Sequence, residues 1–204
     1  MTNSMQDFVV LFVVADVVII IAVLFFVFQL NKRKKLKLKE ALEHQAQKRH
    51  GEVEVKRFGW YPLLKIPFHG QEVLLWMMPG GKNSPPHTYV ACPLTVLSDL
   101  KVTIYRESTF SQIGKIFGFK EIQINNPQFD EAFMIRGNDE MRVMGLLDHT
   151  LQQSLLVLKE YDPVVTIKNN SFQIVIPKFL ESDRELDLLL DSAFIFLNKI
   201  VEFQ

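Results

Sequence analysis

Asp16 is the one charged residue within a strongly apolar run, residues 8–30, and six cations follow that run closely: Lys32, Arg33, Lys34, Lys35, Lys37 and Lys39. A carboxylate at the centre of a membrane helix costs roughly 2.5 to 3.5 kcal/mol. Two readings of Asp16 stay open. It contacts another membrane helix, by a hydrogen bond in its protonated form or by an ion pair, or water reaches it from the outer surface. The cations hold the cytoplasmic end of a span in place and attract anionic lipid headgroups.

Other chemistry finds little support in the spacing. No G-x-S-x-G is present, and Cys92, preceding Pro93 in an apolar strand context, reads as a buried structural thiol. Gly80-Gly81-Lys82-Asn83 lacks the glycine spacing and the hydroxyl of a phosphate-cradling loop, so a hairpin loop is expected. His44, His50, His69, His87 and His149 fall in no metal-binding pattern. The nearest approach to one is His69 facing His87 across a β-meander. Trp60-Tyr61, Phe68 and Trp76 either line a ligand groove or sit in the core. Phe129 and Phe133, four apart, share a helical face, and Asp130 and Asp139 read as helix caps. No catalytic residue, cofactor or metal is expected.

The positioning elements begin with the apolar run. Its 23 residues would span roughly 34 Å as a helix, against a hydrocarbon core of about 30 Å. The preceding residues 1–7 hold no Lys or Arg, unlike a cleavable signal peptide, so the segment is expected to persist as a single-pass transmembrane helix. The cations after it predict the N-terminus outside and the C-terminal part in the cytoplasm, at an inner membrane. Residues 31–50 form a basic stem without Gly or Pro, helical and solvated, ended by Gly51.

Charge then bounds the partners. The chain of 204 residues is formally neutral, yet residues 31–50 carry +6 and residues 51–204 carry −4. The larger part has the wrong sign for nucleic acid. A single cysteine favours a reducing compartment.

Residues 51–204 read as one α+β domain. Closely spaced Gly and Pro divide β-prone runs at 53–58, 63–68, 72–78, 88–92 and 101–106, the last half-buried, with Val102 and Ile104 inward. A capping box, Thr109 with Gln112, predicts a helix over 110–117, followed by a short strand at 120–124. Asn138 is the expected cap of a helix reaching Leu147, and Asp148 of another over 149–161 with Leu151, Leu155 and Leu158 buried. Asn169-Asn170-Ser171 joins a β-hairpin. Ser182 with Glu185 starts an amphipathic C-terminal helix, its acidic face carrying Asp187 and Asp191. Clustered strands favour a mainly antiparallel sheet with packed helices, and a pleckstrin-homology-like arrangement is a special case the element order allows.

Residues 113–156, with Gly118, Glu121-Ile122-Gln123, Phe129-Asp130, Phe133, Ile135, Gly137-Asn138-Asp139 and Leu146-Leu147, resemble a family of often membrane-anchored bacterial proteins without an assigned activity. The resemblance implies a bacterial inner-membrane protein and carries over no catalytic residue. The leading expectation is a membrane-tethered cytoplasmic adaptor that meets lipid through its helix and stem and recruits a membrane-proximal protein. The alternatives are a module reading anionic lipid and an enzyme with an unrecognised site.

Overall fold

The computed structural model describes residues 2–55, 61–82, 84–95, 99–107 and 119–203, the side chains of 2–17, 31, 33 and 34 excepted. The chain divides into two compact units, Met1–Glu40 and Ala41–Gln204.

The first unit is helical. Helix α1 (Thr2–Lys48) is unbroken and carries its last two turns into the second unit. From Val18 to Phe28 its large apolar side chains are exposed on every side, Val18 at 59% and Phe25 at 62%. Among the described residues no helix is long and apolar enough to cross a membrane. The apolar run straddles the limit of that description, since the side chains of 8–17 lie outside it.

The second unit is built on one antiparallel sheet. Its strands are β1 (Glu52–Glu54), β2 (Leu63–Phe68), β3 (Gln71–Met78), β4 (His87–Pro93), β5 (Val102–Tyr105), β6 (Lys120–Ile122), β7 (Met134–Gly137), β8 (Val164–Lys168) and β9 (Ser171–Ile176). They lie in the order β1-β2-β3-β4-β9-β8-β5-β7-β6. The β8–β9 hairpin is thus inserted between β4 and β5, giving one open sheet rather than a closed pleckstrin-homology-like arrangement. Long-range pairing of this kind leaves no local trace in a sequence.

Four helices follow β6 in chain order: α2 (Pro127–Ala132), α3 (Glu140–Leu146), α4 (His149–Leu158) and α5 (Asp183–Glu202). Strand alternation turns Val73, Leu75 and Met77 of β3, Val90 and Cys92 of β4, and Phe172, Ile174 and Ile176 of β9 into one buried face. Helix α5 packs there, its Phe196 ring 5.4 Å from that of Phe172. The Ser192 hydroxyl donates to the Ser154 carbonyl, joining α5 to α4.

Local chemistry explains most boundaries. Asp148 accepts from the Leu151 amide, and Ser182 and Glu185 form both halves of a capping box. Asn169 and Asn170 both take left-handed backbone, φ 50° and 56°, as a two-residue hairpin turn needs. Leu151, Leu155 and Leu158 are buried, and the Phe129 and Phe133 rings lie 5.0 Å apart in the core.

Several expectations need correction. Strand β5, between β7 and β8, has all four residues buried, Val102 and Ile104 on one face and Thr103, at 8%, and Tyr105 on the other, so it is covered on both faces rather than half-solvated. Asn138 does not cap α3; its side chain accepts from the Lys101 amide and donates to the Asp99 carbonyl, each at 2.7 Å, while Asp139 caps the helix. Asp130 accepts from the Ile124 and Asn126 amides and so secures the turn ahead of α2. Strand β7 went unforeseen, its four residues being too few to show a period. The helix expected over 110–117 and the second half of the strand expected over 53–58 lie outside the described residues.

The end of α1 also differs. The helix stops at Lys48, and His50 rather than a glycine takes the left-handed position, φ 55°, with the Gly51 amide reaching back to the Ala46 carbonyl at 2.8 Å. Gly51 is needed for another reason: a Cβ there would lie 2.4 Å from the Lys65 carbonyl oxygen.

Candidate functional site: the stem and its clasp

Of the residues singled out for membrane contact, Lys32, Lys37 and Lys39 are exposed on α1 and Lys35 is half-buried. Asp16, Arg33 and Lys34 lie on the same helix, with side chains outside the described set. Lys35 and Lys39 engage neighbours. Lys32 and Lys37 form no ion pair among the described residues.

The stem is not solvated throughout. Ala41, Leu42, Gln45 and Ala46 are buried, Leu42 and Gln45 fully. Their polar neighbours meet the acidic face of α5 in a ladder. His44 Nδ1 lies 2.9 Å from an Asp183 carboxylate oxygen, and the Gln45 amide donates to that same oxygen at 2.6 Å. Lys48 Nζ donates to Asp187 at 2.6 Å, and Arg49 donates to Asp187 at 2.8 Å and also to Asp191 and Gln45. Partners rise together in number on both segments, so the end of α1 and α5 run parallel. Their macrodipoles then lie side by side unfavourably, and the charge ladder with the buried Leu42 and Ala46 offsets this.

Geometry supplied what periodicity could not. Asp183, Asp187 and Asp191 are four apart, as are His44 and Lys48, so each set shares one helical face. From sequence, Asp187 and Asp191 read as a solvated surface. In the structure they hold the stem, and Arg49 between them is only 10% exposed. The Lys48 hydrogen bond, with burial opposing and Arg49 assisting, holds the Asp187 carboxyl below its ordinary value. For Asp183 burial pushes the pKa up, but the His44 and Gln45 hydrogen bonds outweigh it and the net direction is down. An open groove of about 650 Å³ beside the clasp is lined by Glu43, Gln47, His50 and Glu52 among others.

The remaining candidates do not converge. His69 sits in the β2–β3 turn, whereas His87 pairs with Met78 at the far end of β3, so the two imidazoles never face each other. Among the described residues no three metal-capable side chains cluster. Tyr61 packs on Phe179, Phe68 on Phe194 and Trp76 on Tyr89, three separate places rather than one groove; Trp60 lies outside the described residues. Gly81 and Ser84 bridge the β3–β4 connection, a hairpin loop as expected. Cys92 is buried and unpaired with any other cysteine, and burial pushes its thiol up to about 11.

No protein-family model matches the chain, and no curated protein does. Among solved structures, the chain is similar to the crystal structure of the mycobacterial trehalose monomycolate transport factor A, TtfA. The TM-score is 0.56 at 9% identity, over 81% of this chain and 95% of that one. A likeness at this identity is one of fold.

Proposed function

We propose that the chain is a membrane-tethered adaptor: residues 8–30 cross an inner membrane once with the N-terminus outside, and the α+β domain works at the cytoplasmic surface as an interaction module. The observation that carries this reading is the belt of large apolar side chains on α1, exposed on all sides from Val18 to Phe28 and followed at once by lysines. A helix apolar all round is at home in lipid, and in water such a surface would invite aggregation. Tethering raises the effective concentration of the domain for partners held at the same surface. TtfA is a transport factor, and a domain of similar fold serving a membrane-proximal accessory role here accords with that.

Asp16 is the proposed contact with a partner's membrane helix. Affinity purification of the full chain in mild detergent, beside Asp16→Ala, tests the adaptor. A specific protein recovered with the wild type and reduced with the variant is the expected result. A bare monomer from both would remove the adaptor reading, and release of the full chain by carbonate washing would remove the tether beneath it.

A further inference from the structure

We propose that the face of the sheet turned away from α5 docks a second copy of this chain, about a twofold axis running along the strands between β4 and β9. Outward positions of an antiparallel sheet that faces water are ordinarily polar. Here they are not. Trp76, Tyr89, Val175 and Val164 are cross-strand partners that form one half-exposed row over β3, β4, β9 and β8, and the residues flanking each of them in sequence are buried.

That row is lopsided in size. The Trp76 and Tyr89 rings stack, centroids 5.0 Å apart and 5° from parallel, so the β3–β4 half stands high, while the two valines leave the β9–β8 half low. Charge is lopsided in the same sense. On the adjacent row Leu74 and Thr166 stand on β3 and β8, and two residues farther on the same face come Glu72 and Lys168, both exposed. Neither is held in an ion pair among the described residues; Glu72 acts on Lys65 by longer-range attraction. Three strand spacings, about 14 Å, separate them.

A half-turn about the proposed axis exchanges β3 with β8 and β4 with β9. Glu72 of each copy then faces Lys168 of the other, and the stacked rings of each lie over the partner's valines. Sheets that pack face to face at about 10 Å interdigitate best when large residues meet small ones. Size and sign invert about the same line, which is what a surface needs to complement itself. Four strands by three rows give a footprint of about 400 Å² per copy, at the weak end of specific interfaces, so the pairing is reversible and is best read by a covalent trap.

The full chain in mild detergent at low salt, carrying Gln173→Cys, provides that trap. Gln173 lies beside the axis in the row of Leu74 and Thr166, and the native Cys92 is buried. Oxidation is expected to give a disulfide-linked dimer. Glu72→Lys or Lys168→Glu, added singly, sets like charges opposite each other at both contacts and should cut the yield about fivefold. Combining the two restores the attraction and should return the yield to about the parental level. Trapping no greater than that of Glu181→Cys, an exposed position ahead of α5, overturns the proposal. So do single reversals that leave the yield unchanged, or a double reversal no better than either. Pairing of membrane helices through Asp16 would not respond to charge at positions 72 and 168, so this result stands apart from the fate of the adaptor and its tether.

Discussion

Asp187 is where a single carboxylate bears most on the molecule. Lys48 first, then Arg49, lower its pKa from the ordinary 3.8 on folding. A depressed folded value means the ionised form is favoured by folding, so the stabilisation is complete above pH 3.8 and is lost as pH falls through the lower folded value. Asp187→Asn is therefore expected to cost about 1 kcal/mol at pH 7, and to flatten part of the acid-side loss, in urea unfolding followed by tryptophan fluorescence. A variant as stable as wild type at pH 7 would show that the ladder is ornamental. Cys92 offers a second residue-scale measurement. With its thiol raised to about 11 and its side chain buried, it should resist a disulfide reagent at neutral pH and react only as urea unfolds the chain. Rapid labelling of the native chain would contradict that burial.

At the scale of elements, caps and turns carry the testable energy. Ser182 accepts from the Glu185 amide while Glu185 reaches back, and Ser182→Ala should destabilise α5 by about 1 kcal/mol, read as a lower urea midpoint with an unchanged slope. The β8–β9 turn places Asn170 at φ 56°, where a glycine is free of Cβ strain. Asn170→Gly should hold or raise stability, and Asn170→Val should lower it by about 1 to 2 kcal/mol in the same assay. These elements were legible in advance because each is signalled by residues within four positions of each other. Strand β7 and the left-handed His50 were not, since one is too short for a period and the other takes a glycine's place at a helix end.

For the whole molecule, the exposed belt from Val18 to Phe28 and the lysines behind it predict an integral membrane protein. A fluorescent reporter that matures only in the cytoplasm, fused after Gln204, should glow; a dark fusion of normal abundance would reverse the proposed orientation. Charge periodicity, apolar runs and capping residues in the sequence were enough to determine the helical stem, the hairpins, the amphipathic α5 and the α+β class, because each follows from interactions a few residues long. Tertiary structure alone decided that the β8–β9 hairpin enters the sheet beside β4, that β5 is buried on both faces, and that the aspartates of α5 grip His44, Lys48 and Arg49. Those partners stand about 139 residues apart. Nothing local tells an acidic stripe facing water from one facing a distant cation; only the closure of the chain brings the two charges together.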